Sequence, residues 1–194
     1  MRIETEELHF TYPGDVHALR GISLVIEPGE QVAMVGQNGA GKTTLVKHFN
    51  GLLKPDRGRV VVGDWDTRRR SIAALAHRVG YVFQNPDDQL FSRTVAAEVA
   101  FGPHNLGYDP QRVAALVEDA LEMTGLSSEA ETNPYDLPPT RRKLVAMASV
   151  IAMDTPVLIF DEPTTGQDAA VVAHRIHVYF LHGSVSAVCE FFNT

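Results

Sequence analysis

Short apolar runs bounded by turn residues dominate the first part of the chain. Leu8-His9-Phe10-Thr11-Tyr12 reads as a strand that stops at the turn Pro13-Gly14-Asp15. Leu19, Ile22, Leu24 and Ile26 lie on a second strand ending at Pro28-Gly29. Gln31-Val32-Ala33-Met34-Val35 is a short apolar run, as expected of a buried strand. Thr44 to Phe49 can be helical, with Gly51 as its C-cap. Lys54 to Gly58 is a turn, Arg59 to Val62 a strand, Ile72 to His77 a helix, and Gly80 to Phe83 a short strand running into Gln84. The middle of the chain then becomes helical. Thr94 to Phe101 is one helix. Asp109 and Pro110 open the next, which carries Val113, Leu116, Val117, Ala120 and Leu121 at helical spacing and closes at Gly125. A third runs from about Thr140 to Ala152, after which Val157 to Phe160 returns to strand. The pattern predicts a helical lobe over 86–154 inserted into an α/β core made of 1–85 and 155–194.

Between the third strand and its helix stands Gly36-Gln37-Asn38-Gly39-Ala40-Gly41-Lys42-Thr43. It meets every fixed position of the phosphate-binding loop pattern G-x-x-x-x-G-K-[ST], in the strand–loop–helix context which that pattern requires. Glycines let the backbone curl so that several N–H groups face one anion. The following helix presents its N-terminus to the same charge. Lys42 is placed to reach the β- and γ-phosphates of a nucleotide, and Thr43 offers a hydroxyl to Mg²⁺.

Asp161 and Glu162 end the apolar strand Val157-Leu158-Ile159-Phe160. Acids at the end of a buried strand are costly unless a cation or a reaction uses them. In a P-loop protein the first is placed to hold Mg²⁺ through water. The second is placed to orient or deprotonate an attacking water. The rival reading of the pair, ordinary surface carboxylates, loses weight with a P-loop upstream.

Composition narrows the partners. The net charge of −7 and the lack of a long basic run argue against nucleic acid. Cys189 is the single cysteine, which leaves no internal disulfide and suits a reducing compartment. The acidic start, Met1 to Glu7, is not expected to be a signal peptide. The longest uncharged apolar run, Leu144 to Met153, is too short to span a bilayer, so any membrane role is expected to go through a partner.

Taken together, the motifs resemble those of an ATP-binding-cassette ATPase, of the kind that drives energy-coupling-factor importers of vitamins and of cobalt or nickel. The resemblance rests on Phe10 to Pro13, Gly36 to Thr44, Tyr81 to Phe91, Thr94 to Pro103 and Asp161 to Asp168, in order along the chain. Glu98-Val99-Ala100-Phe101-Gly102-Pro103 is its most subfamily-specific piece. The resemblance implies an α/β fold: a P-loop NTPase (RecA-like) core with antiparallel N-terminal strands and the inserted helical lobe. It implies ATP and Mg²⁺ as ligands. Gly36, Gln37, Asn38, Gly39, Ala40, Gly41, Lys42, Thr43 and Thr44 would line the phosphates, and Tyr12 would stack on adenine. Thr43, Gln84 and Asp161 would serve Mg²⁺. Glu162 would be the catalytic base, and Gln84 would contact the attacking water and carry motion between lobes. Asp168 would lie at a dimer seam, and Asp87 to Phe91 would face a coupling helix of an integral membrane subunit.

Two stretches depart from the family. Leu137-Pro138-Pro139-Thr140-Arg141 stands where a Leu-Ser-Gly-Gly-Gln signature would clamp the γ-phosphate of a partner subunit, and proline has no N–H to give. Thr140 and Arg141 still offer a hydroxyl and a charge, and the proline pair also reads as a helix start. The family's γ-phosphate histidine, counted from Glu162, falls at or beyond Thr194; His174, His177 and His182 come earlier, with no suitable strand before them. The tail after Asp168 therefore reads as truncated or altered. The expected function is an ATP-hydrolysing subunit that pairs with a second, different ATPase subunit, peripheral on the cytoplasmic face of the membrane. Two alternatives stay open: a degenerate ATP-binding regulatory subunit, and a soluble cassette protein of translation or DNA repair.

Overall fold

The computed structural model describes residues 1–161 and the backbone of 186–192. These fall into two compact units: Met1–Val79 with Pro156–Asp161 and the strand at 186–192, and Gly80–Thr155.

The first unit begins with an antiparallel sheet in the order β2-β1-β4-β5. Strand β1 spans Ile3–Tyr12, β2 Val16–Ile26, β4 Arg57–Val62 and β5 Trp65–Asp66. The sequence reading placed the start of β1 at Leu8. Ile3 and Thr5 are buried on the core side ahead of that point. Glu4 and Glu6, next to them on the strand, are offset by Arg2 and Arg59, each at 2.5 Å. An acidic start thus proves to be a strand because the neighbouring residues carry the matching cations. At the irregularity in β1, the carbonyls of Glu6 and Glu7 press on Gly58, where a Cβ would come within 2.3 Å and 2.1 Å of their oxygens. Gly58 also has φ +80°, so glycine is required there.

The second sheet has the order β3-β8-β7-β6, with β3 at Gln31–Gly36, β6 at Val79–Val82, β7 at Val157–Phe160 and β8 at Ser186–Phe192. Strand β8 runs parallel to both β3 and β7 and separates them. The sequence pattern singles out no strand at Ser186–Phe192. The remaining predictions for the tail, including its truncation, lie outside the described residues. Helix α1 (Lys42–Phe49) follows β3, and the short α2 (Ile72–Leu75) precedes β6.

The second unit is helical. It holds α3 (Val95–Asn105), α4 (Pro110–Thr124) and α5 (Pro139–Ile151). Thr94 caps α3 by accepting from the Ala97 N–H. Asp109 caps α4 by accepting from Gln111 and Arg112, and Gly125 closes it in the left-handed region. Every residue of α5 from Lys143 to Ile151 is buried.

The Glu98–Pro103 stretch has a physical reason here. The Glu98 carboxylate is only 3% exposed and accepts from the N–H groups of Phe91 and Ser92 at 2.9 Å and 2.6 Å. A Cβ on Gly102 would meet Met153 Cγ at 2.5 Å, so glycine there lets Met153 approach the helix closely. Glu98→Ala removes two charge-assisted hydrogen bonds and strands their donors, which is expected to destabilise the protein by about 2–4 kcal/mol. Denaturant unfolding of variant and parent checks this; equal midpoints would refute it.

Candidate functional site

Strand β3 ends at Gly36, and the chain curls at once: the Ala40 N–H donates to the Gln37 carbonyl at 3.1 Å. Gly39 and Gly41 have φ of +80° and +88°. A Cβ on Gly41 would sit 2.7 Å from the Ala18 carbonyl oxygen, so the loop can press against β2 only with glycine there. Helix α1 then starts with no acidic residue in its first turn and no side-chain cap. The Lys42 ammonium folds back over the loop and donates to the carbonyls of Gly36 and Gln37, at 2.9 Å and 3.3 Å. Loop amides, helix N-terminus and ammonium all favour an anion at this point.

Two further groups meet the loop within the same unit. The Thr43 hydroxyl donates to Asp161 Oδ1 at 3.3 Å, and Asp161 is 2% exposed just after β7. A hydroxyl and a buried carboxylate on adjoining elements fit Mg²⁺, which keeps several waters and needs only one or two protein oxygens beside phosphate. Accordingly, it does not matter that no group of three or more His, Cys, Asp or Glu gathers at one point among the described residues. The Tyr12 hydroxyl lies 3.2 Å from Thr44 Oγ1, which ties the end of β1 to the P-loop helix. Thus the structure brings Tyr12, Gly36 to Thr44 and Asp161 together. Glu162 and Asp168, with the tail histidines, lie outside the described residues.

Gln84 belongs to the second unit, exposed, beyond β6. Its backbone is held from below. Lys143, 3% exposed on α5, donates to the Gln84 carbonyl at 2.5 Å and to that of Phe83 at 3.3 Å. The Gln89 amide accepts from the Phe83 N–H and donates to Ala146 O and Ser149 Oγ. Sequence reasoning missed Lys143 and Gln89 as supports of Gln84. The available signal was a lysine opening the apolar run of α5.

In the signature segment, Pro138 caps α5 and Pro139 is its first residue. The proline pair is therefore a helix start, as one of the two readings had it. Thr140 is exposed. Arg141, expected to offer a charge, instead pairs with Glu129 and donates to the Gly125 carbonyl at 2.8 Å. That pairing holds the Glu129 carboxyl below the usual carboxylate range, the Arg141 hydrogen bond being the main cause.

The ABC transporter family model matches residues 19–165. The chain belongs to the ABC transporter family. Among ABC proteins it is 47% identical over 174 residues to the energy-coupling factor transporter ATP-binding protein EcfA of Methanoculleus marisnigri, covering 90% of this chain and 63% of that protein. It is 46% identical over 166 residues to EcfA1 of Methanospirillum hungatei, covering 86% and 60%. The chain thus spans less than two thirds of the length of these relatives. Its fold superposes on CbiO1 of Clostridium perfringens, described as part of the ABC transporter complex CbiONQ, with a TM-score of 0.86 and 35% identity. That match covers 98% of this chain and 78% of CbiO1. The expected fold class holds for this ABC protein, with the antiparallel strands at its N-terminus.

Proposed function

We propose that this chain binds and hydrolyses Mg-ATP as a subunit of an energy-coupling-factor importer. The observation that carries the reading is the complete P-loop with the Thr43 hydroxyl 3.3 Å from the buried Asp161 carboxylate. The loop amides and Lys42 hold the phosphates, and Tyr12 stacks on adenine, a contact worth about 1–3 kcal/mol. Thr43 and Asp161 would hold Mg²⁺, which when bound neutralises charge on the β- and γ-phosphate oxygens. Glu162 takes a proton from water as the water oxygen bonds to the γ-phosphorus. The bond to the β-phosphate oxygen breaks, and ADP and phosphate leave.

The chain works beside an integral membrane subunit, peripheral on the cytoplasmic face. Among the described residues no helix is long and apolar enough to cross a membrane itself. Phe91 and Phe101 support a docking face: they pack edge to face at 4.6 Å, yet are 60% and 49% exposed. The second ATPase subunit is a different chain. Pro138 and Pro139 occupy the signature, and Arg141 is engaged by Glu129, so two copies of this chain would make two poor sites. The same observation favours, as a second reading, a regulatory subunit that binds ATP without turning it over. The Glu98–Pro103 stretch and the acidic net charge of −7 weigh against a soluble nucleic-acid partner.

Hydrolysis measured with the chain alone, and with a signature-complete partner plus the membrane subunit, separates these readings. We expect slow turnover alone and at least about tenfold more in the complex, the size of one lost transition-state interaction. Brisk turnover alone would overturn the need for a different partner. No turnover in either mixture, with ATP still bound, would establish the regulatory reading.

A further inference from the structure

His48 has no place in the chemistry proposed for the P-loop, yet it is fully buried, on α1, one turn after Thr44. Its Nδ1–H donates to the Thr44 carbonyl at 2.7 Å, which puts the proton on Nδ1. Nε2 is buried with no hydrogen-bond partner. A buried polar atom left this way is a cost that a leucine would avoid, so the ring needs another reason to be there. Its packing supplies one. The imidazole meets the Phe10 ring edge to face at 4.9 Å and 77°. Phe10 meets Tyr12 edge to face at 4.8 Å and 89°. The Tyr12 hydroxyl then returns to Thr44 Oγ1 at 3.2 Å. Thr44, His48, Phe10 and Tyr12 thus form a closed circuit, with Thr44 held by its carbonyl at one point and its hydroxyl at the other.

We propose that His48 is a positioning residue for the base end of the nucleotide: through Phe10 and Thr44 it sets the position and plane of the Tyr12 ring. Aromatic pairs prefer the edge-to-face arrangement over a stacked sandwich, so each ring fixes the plane of the next. The hydrogen bond from Nδ1 fixes the plane of the first. Burial, the largest cause, holds the imidazole below its ordinary pKa, opposed by the Thr44 hydrogen bond. The inference rests on the reading that Tyr12 stacks on adenine, and it assigns His48 no contact with the phosphates.

The test compares two ligands that differ only beyond the phosphates: Mg-ATP and inorganic tripolyphosphate with Mg²⁺. Titrations use the full chain, His48→Leu, His48→Phe, Tyr12→Ala and the Tyr12→Ala/His48→Leu double variant. His48→Leu is expected to weaken ATP about three- to tenfold, the fold-change of one aromatic pair, and to leave tripolyphosphate unchanged. His48→Phe keeps a ring edge against Phe10 but loses the Nδ1 hydrogen bond to Thr44, so its loss of ATP affinity should be smaller than that of His48→Leu. The double variant should bind ATP no worse than Tyr12→Ala. Equal losses for both ligands, or an unchanged ATP affinity in His48→Leu, would overturn the assignment and leave Tyr12 stacking standing. A loss in His48→Phe as large as that of Tyr12→Ala would also overturn it, since the ring would then not be what matters. If Tyr12→Ala itself binds ATP like the parent, the stacking reading fails and this inference falls with it.

Discussion

Lys42→Ala is expected to weaken Mg-ATP binding about 10- to 150-fold while leaving the melting temperature nearly unchanged. The size follows from the loss of a charged hydrogen-bond donor to the phosphates, about 1.5–3 kcal/mol. The small effect on folding follows from where the ammonium sits. Two of its contacts are hydrogen bonds to the carbonyls of Gly36 and Gln37, at a half-exposed and an exposed residue that water can serve in its place. Lys42 therefore contributes to the fold through contacts that are easily replaced, and to binding through one that is not. Arginine should not rescue: its planar fork differs from a compact ammonium held inside a tight loop. Calorimetric titration and thermal melting of the same preparations check both halves. Unchanged affinity would remove Lys42 from the site, and a collapse in melting temperature would make its role structural.

The second large effect concerns Glu162, which follows Asp161 directly in the chain. Asp161 is buried and already accepts from Thr43, so its charge is committed to the loop. On the proposed reading, Glu162 is the acid that takes a proton from water. Glu162→Gln keeps the shape and removes the base. Hydrolysis by this chain with its complete partner should fall about 10²- to 10⁴-fold, the range for one positioned general base. ATP affinity should hold, because the phosphates are held by other residues. Turnover and equilibrium binding of the variant pair provide the check. Full turnover would place hydrolysis at the partner's P-loop instead, and a matching loss of affinity would make Glu162 a binding residue.

Both effects bear on a site that was partly legible in the chain itself. The loop from Gly36 to Thr43 could be read because its requirements are local: positive φ at Gly39 and Gly41, and a helix that begins at the next residue. The cap at Asp109 and the close at Gly125 are local in the same sense, and α4 falls where the pattern placed it, whereas α3 runs past the expected end at Phe101, through Pro103, to Asn105. The acidic start of β1 misled, since the cations that pair with it include Arg59, 53 positions away.

What the chain determined alone were the pieces whose conformation depends on neighbours within a few residues: the P-loop, the helix caps, and the apolar strands that end at Gly36 and Asp161. Tertiary structure decided the rest. The Thr43–Asp161 contact joins residues 118 positions apart, and only the packing of β7 beside β8 and of β8 beside β3 brings those strand ends into one sheet. Strand β8 is a short apolar run like those read upstream, but its place between β3 and β7 depends on edges that only the fold offers. Arg141 looked available until the fold set Glu129 beside it, and nothing in the pattern pointed to Lys143, which the fold joins to two carbonyls. A side chain's partners are chosen by which backbones meet it in space, and a one-dimensional pattern records only which face it can occupy.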